Sequence, residues 1–269
     1  MSDKLKTACV QLNYKDGLES YYNKINNILN KSNLKDTDIL CFPESCIHGF
    51  DYEVISNLKE KEIQKQIQFF KDLAEGYDVH VVAGLIEKTR GNYYSSALTF
   101  QNDGELIHTY RKVHLWDKEK DFFTPGSSIG LFDIKGWNIG LGLCADLGFP
   151  EFSRSAALNG AEFLIFPSAW REPYDKLWKQ MITARASENQ AYVLGVNALD
   201  SKNDYCGKTV AIDPSGETIG ELEKKEDVLF IEIDKQKVLD RRKEIDWLSM
   251  VKPEVYRKKL NVRTGQRDK

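Results

Sequence analysis

The sequence predicts a mixed α/β fold, and three observations carry that reading. Amphipathic helical segments alternate with short apolar strands. Hairpin signals interrupt the alternation three times. No stretch rich in Pro, Gly or Ser divides the whole, so residues 1–269 are read as a single domain, with 252–269 as a C-terminal arm.

The elements follow in order. Lys6 to Leu12 reads as the first strand. Leu18 to Asn30 places Leu18, Tyr21, Tyr22, Ile25, Ile28 and Leu29 at helical spacing. Asp38 to Phe42 is a short apolar strand stopped by Pro43. Glu60 to Gly76 is a charged amphipathic helix with Ile63, Ile67, Phe70, Leu73 and Ala74 on one face. Val79 to Leu85 is β-branched and short, a strand buried on both faces. Tyr94 to Phe100 and Leu106 to Tyr110 flank Asn102-Asp103-Gly104, a hairpin signal. Ile129 to Ile134 and Trp137 to Leu143 form a second hairpin around Lys135-Gly136. Pro150 to Gly160 reads as a helix, Phe163 to Phe166 as a strand, Tyr174 to Asn189 as a helix and Ala191 to Asn197 as a strand. Thr209 to Ile212 and Thr218 to Leu222 enclose the turn Pro214-Ser215-Gly216, the third hairpin. Val228 to Ile233 alternates as a last strand.

Composition sets the bounds. A net charge of −3 with 41% hydrophobic and 29% charged residues is the balance of a folded soluble chain rather than a disordered or fibrous one. It gives no electrostatic reason to expect a nucleic-acid partner, which would need concentrated Lys and Arg. No stretch approaches the roughly 20 apolar residues that span a bilayer; the longest candidate, Gly160 to Ala169, contains Glu162. The opening residues do not read as a signal peptide. Cys9, Cys41, Cys46, Cys144 and Cys206 are odd in number and dispersed, which argues against a disulfide framework and for a cytoplasmic setting.

Several residues stand where chemistry is usual. Cys144 follows the apolar run Ile139 to Leu143 and precedes a helix, so it sits at the C-terminal end of a strand, where ligands of α/β sheets gather. A thiol there is either an activated nucleophile or an inert core cysteine. Glu44 ends the run Ile39 to Pro43 in the same manner; it is a general base, or a carboxylate in a salt bridge or helix cap. Lys112, at the end of a hairpin strand, would depress a thiol pKa and stabilise an oxyanion beside Cys144, or is a surface lysine. Glu119 lies in the charge cluster Asp117 to Asp121, which periodicity cannot distinguish from a surface loop. The four histidines, His48, His80, His108 and His114, have no metal-site spacing, and no phosphate loop or GxSxG elbow occurs.

Taken together, these segments resemble the nitrilase superfamily, the carbon-nitrogen hydrolases, in its amidase-like branch. FPES around Glu44, YRKVHLWD around Lys112, the following EKDFFTPG, GLGLCADLGFPEFSR around Cys144, ARASENQAYVLGVN and IDPSGE match family motifs in order from about Lys6 to Asp234. The resemblance implies a four-layer αββα sandwich and subunits that pair across outer helices. It implies Glu44 as general base, Cys144 as nucleophile, Lys112 as oxyanion stabiliser, Glu119 as a second orienting glutamate, and the Ala145 N–H as a further oxyanion donor. It requires no cofactor. DRRKEIDWL resembles the family's closing run, so the tail after it is read as a solvated arm or as an arm at the subunit interface of a homodimer or higher homo-oligomer.

The implied reaction hydrolyses a small carboxylic amide through a cysteine thioester. An N-carbamoyl compound or a nitrile would use the same groups. An amide-forming transferase and a non-catalytic dimeric scaffold are the other classes. Family members often carry Tyr directly after the nucleophile and Arg three residues further on; here these are Ala145 and Gly148. That departure predicts weak preference for acidic amides, unless Arg171 replaces the lost cation. Arg171 either faces substrate or pairs with Glu172 or another surface acid. Phe50, Tyr52, Trp116, Trp170, Tyr174 and Trp178 either line the mouth or serve core or dimer packing, the packing reading being preferred for Trp178 on its helix.

Overall fold

The computed structural model describes residues 3–13, 18–200 and 204–259. The first half contains β1 (Lys4–Gln11), α1 (Leu18–Lys31), β2 (Ile39–Cys41), α2 (Tyr52–Asn57), α3 (Glu60–Tyr77), β3 (His80–Thr89), β4 (Asn92–Phe100), β5 (Leu106–Arg111) and α4 (Glu119–Phe122). The second half contains β6 (Gly130–Ile134), β7 (Trp137–Leu141), α5 (Pro150–Leu158), β8 (Phe163–Ser168), α6 (Asp175–Asn189), β9 (Tyr192–Asn197), the short pair β10 (Leu199–Asp200) and β11 (Tyr205–Cys206), β12 (Val210–Ile212), β13 (Thr218–Glu221), β14 (Asp227–Asp234), α7 (Lys235–Glu244) and α8 (Pro253–Lys259).

Two six-stranded sheets result, ordered β14-β1-β2-β3-β4-β5 and β13-β12-β9-β8-β7-β6. Side-chain parity sets the layers. In β1, Leu5 and Cys9 point to the core shared with the second sheet, while Ala8 and Val10 point the other way. In β2, Ile39 and Cys41 take the inner side, and Leu40, with Phe42 just past the strand, the outer. That outer side packs on Tyr21, Ile25 and Leu29 of α1 and on Phe70, Leu73 and Ala74 of α3. Trp178, Ile182 and Ala186 of α6 cover the second sheet. With both faces of each sheet covered, the architecture is the expected four-layer αββα sandwich.

Most expected elements lie within a few residues of their observed limits. The exception is β3, which runs on to Thr89 instead of ending at Leu85. It returns as β4 through Arg90 and Gly91, both at positive φ (52° and 84°), a two-residue hairpin turn. The charged residues Glu87 and Lys88 masked the extension, because that end of the strand is only half-buried. The tail from residue 252 begins with α8; residues 260–269 of the expected arm lie outside the described residues. Among the described residues, no helix is long and apolar enough to cross a membrane.

Candidate active site

Three strand ends supply the site. Glu44 lies three residues beyond β2. The chain there keeps running along β3: the Cys46 N–H donates to the Gly84 carbonyl at 2.9 Å, and the Gly84 N–H to the Pro43 carbonyl at 3.2 Å. This approach requires a glycine, since a Cβ on Gly84 would fall 2.4 Å from the Glu44 Cα. Ser45 then turns with φ of 44° and donates through its Oγ to the Gly49 carbonyl.

Lys112 follows β5. Its N–H donates to the Ser95 carbonyl, and its carbonyl accepts from the Gly126 N–H at 2.8 Å. Gly126, the last residue of EKDFFTPG, also sits where a Cβ would meet the Arg111 carbonyl at 2.1 Å. The Lys112 side chain is fully buried. Its Nζ donates to Glu44 Oε1 and to Glu119 Oε1, each at 2.8 Å. The surface-lysine reading is therefore corrected: this ammonium is compensated by two carboxylates inside the protein. The surface-loop reading of Glu119 is corrected too. Glu119 begins α4, is 6% exposed, and accepts the Trp116 N–H on Oε2 at 2.9 Å. Ser95 Oγ donates to Glu44 Oε1 at 3.1 Å.

Cys144 leaves β7 on a 3-10 turn, Cys144–Gly148, with φ of 40°. A non-glycine residue in the left-handed region carries backbone strain, and such residues concentrate at functional sites. Cys144 is the one cysteine of the five that is not fully enclosed. It lies within electrostatic range of Glu44, Lys112 and Glu119.

The charges answer one another. Burial pushes the Glu44 carboxyl up to about 7 against the opposing pull of Lys112. Burial alone would lower Lys112, but Glu44 and Glu119 together hold it well above the usual lysine range. Burial, then Glu44, raise the Cys144 thiol well above its ordinary value, with Lys112 opposing. The resting arrangement is thus a neutral thiol beside a fixed ammonium and a carboxyl poised near neutrality.

The other expected residues divide. Ala145 is the second residue of the turn and is buried. Trp170 packs against Trp178 at 5.4 Å between ring centroids, and its indole Nε1–H donates to the Tyr174 carbonyl. Trp178 is fully buried, as expected of core. Trp116 is 65% exposed and reaches the cluster through its backbone N–H. The expected alternative pairing of Arg171 with Glu172 is corrected, because Glu172 binds Lys224 at 3.1 Å. Arg171 instead donates from Nη2 to the Tyr205 hydroxyl at 3.4 Å and lies in the electrostatic range of Tyr52 and Cys144. Phe50 and Tyr52 pack with Phe123, and Tyr52 stacks on Phe122. The histidines are scattered: His48 meets Gln66, His80 the Asp38 carbonyl, His108 the ring of Phe132, and His114 Asp146.

Asp146 was not singled out from the sequence. Its fully buried carboxylate accepts the Tyr110 O–H at 2.6 Å and the Leu143 N–H at 2.8 Å on Oδ2. On Oδ1 it accepts the His114 N–H at 3.0 Å and meets His114 Nδ1 at 2.7 Å. The period of two along Tyr110, Lys112 and His114 is the signal that would have found these partners. Arg185 of α6, which donates from Nε to the Leu147 carbonyl at 3.0 Å, also secures the turn.

Comparison with known proteins agrees with this geometry. Residues 6–243 match the carbon-nitrogen hydrolase family. An (R)-stereoselective amidase of Pseudomonas sp. is 32% identical over 91% of this chain and 90% of its own. A 2-oxoglutaramate amidase of Bacillus subtilis is 28% identical over 94% of this chain and all of its own. The crystal structure of a carbon-nitrogen hydrolase from Helicobacter pylori superposes with a TM-score of 0.86 at 25% identity, covering 96% of this chain and 98% of that one. An ordered Glu, Lys and Cys brought to one point of an αββα sandwich, and a match over most of the length, lead to one conclusion: the chain belongs to the carbon-nitrogen hydrolase family of the nitrilase superfamily.

Proposed function

We propose that the protein hydrolyses a small carboxylic amide to acid and ammonia through a thioester on Cys144. The observation that carries this reading is the buried Lys112 ammonium held between Glu44 and Glu119 next to Cys144. Because burial and Glu44 keep the thiol protonated, its proton passes to Glu44 as sulfur attacks the amide carbon. Lys112 and the Ala145 N–H receive the charge that develops on oxygen. The C–N bond breaks as Glu44 returns the proton to the departing nitrogen, giving ammonia. Water, deprotonated by Glu44, then attacks the thioester, releases the acid and restores the thiol. Glu119 holds Lys112 in place throughout.

The mouth favours an acidic amide. Gly148 supplies no cation, but Arg171 does, with Tyr52 and Tyr205 beside it and Glu172 held elsewhere by Lys224. This reverses the preference expected from Gly148 alone. Ammonia release is to be measured on neutral amides, dicarboxylic monoamides, N-carbamoyl compounds and nitriles. Monoamides bearing a carboxylate are expected to exceed matched neutral amides by about tenfold in kcat/KM. Equal rates would remove Arg171 from the substrate's path; release only from N-carbamoyl compounds or nitriles would overturn the amidase reading. The same assay run against pH should show kcat/KM rising with pH and levelling above about 7, because only ionised Glu44 accepts the thiol proton. A profile flat from about pH 5 to 8 would exclude Glu44 as the base.

We further infer a homodimer whose subunits each form one domain over 1–269 and meet through outer helices and the 252–269 arm. Exposed apolar side chains support this: Phe149 and Leu158 at the two ends of α5, Leu177 on α6, and Met250, Val255 and Tyr256 towards the C-terminus. Sedimentation should give twice the 30.9 kDa chain mass; a monomer at micromolar concentration would refute it. The described thiols, none of them in a disulfide, suit a reducing cytoplasm.

A further inference from the structure

We infer that Asp146, grasped by Tyr110 and His114, is the positioning residue that sets Cys144 against Lys112, a role that rests on the reaction proposed above. The two residues must act together, yet they come from different sheets. Lys112 follows β5 at the edge of the first, and Cys144 follows β7 in the second. Asp146 lies on the nucleophile's own turn, and its carboxylate crosses between them.

The chain on either side of Lys112 is built to hold that carboxylate. Residues 110, 112 and 114 have the same parity. The middle side chain enters the ion cluster with Glu44 and Glu119, while its two neighbours reach Asp146. One Asp146 oxygen also accepts the N–H of Leu143, immediately before Cys144. The carboxylate therefore ties the residue preceding the nucleophile to residues two before and two after the lysine. The His114 ring is itself fixed by stacking on Phe149 at 3.6 Å, just past the turn. Four donors on one fully buried carboxylate leave it little freedom, and the strained φ at Cys144 needs such outside support. Asp146 touches none of the reacting atoms in this arrangement. It acts through where it puts them.

The test compares His114→Asn, which keeps a donor near the Nδ1 position, with His114→Leu, which removes it. Three quantities are read: kcat and KM for ammonia release, the melting temperature, and the pH dependence of Cys144 alkylation by iodoacetamide followed by mass spectrometry. His114→Leu is expected to lose about 10- to 100-fold in kcat with KM nearly unchanged, the range of a small misplacement of reacting groups. Its alkylation should lose the Glu44-dependent rise near pH 7 and proceed only at higher pH, because burial holds the unassisted thiol above its ordinary range. His114→Asn should recover most of both. A folded His114→Leu protein with wild-type kcat and alkylation profile would overturn the inference, as would failure of Asn to rescue. Should His114→Leu not fold, Tyr110→Phe removes one donor without added volume, and the same kcat and alkylation criteria decide. If the wild-type protein releases no ammonia from any amide, the proposed reaction falls, while the alkylation comparison still decides the role of Asp146.

Discussion

Replacing Cys144 by alanine is expected to abolish turnover, with a loss of about four to six orders of magnitude, while fold and melting temperature stay near wild type. The expectation has two parts. In the proposed reaction sulfur forms the thioester, so what would remain after its removal is binding and polarisation by Lys112 and the Ala145 N–H. The side chain itself carries little packing: Cys144 is partly exposed, and its turn is held by Asp146 and Arg185 rather than by the thiol. Alanine at φ of 40° bears the same backbone strain as cysteine, so no new cost arises there. Two measurements check this together, ammonia release and intact mass after addition of the preferred amide. The wild-type protein should show a transient acyl adduct and the variant none. Activity within tenfold of wild type would mean that another group attacks, and the thioester mechanism would fail.

How much of this site was readable before the structure depends on the residue. Cys144 and Glu44 announce themselves, because each ends an apolar run in a chain whose alternating pattern already predicts strand ends. Lys112 is less visible. A lysine in Tyr110-Arg111-Lys112 reads as surface until its two carboxylate partners are placed in space, and Glu44 is 68 residues away. Glu119 sits among five consecutive charged residues, of which only it turns inward; family resemblance singled it out, and periodicity could not. Asp146 escaped for a related reason. Its partners lie 32 and 36 residues back, at the end of β5 and in the chain just after it, so the period of two along Tyr110, Lys112 and His114 marks one side of the contact but nothing near Asp146 marks the other. The sheets themselves were more legible, since strand alternation is local. What local patterning lost was the far end of β3, where half-buried charge imitates a loop, and Gly84, whose necessity appears only when Glu44 is laid across it.

The second large effect concerns the charge balance of the cluster. Lys112→Ala is expected to lower kcat/KM by at least about a thousandfold, since in the proposed reaction it removes an oxyanion donor and the counter-ion of the base. It should also destabilise the fold by about 3–5 kcal/mol at neutral pH, the usual cost of leaving buried charge without its partner. The pH dependence of that loss distinguishes this cause from simple cavity formation. With the ammonium gone, Glu44 faces Glu119 as a like charge in a buried site without its opposing partner, and the Glu44 carboxyl rises further above its unfolded value. A carboxyl raised in the folded state binds more protons folded than unfolded, so stability falls as pH rises through that interval. The gap in melting temperature between variant and wild type should therefore narrow from about pH 8 to about pH 5. Adding Glu119→Gln to Lys112→Ala removes one of the two negative charges and should recover stability without recovering turnover. A gap independent of pH would assign the loss to missing volume alone. Recovery of turnover in the double variant would show that Lys112 serves the reaction only by neutralising Glu119, and the oxyanion role would have to pass to the backbone of the Cys144 turn.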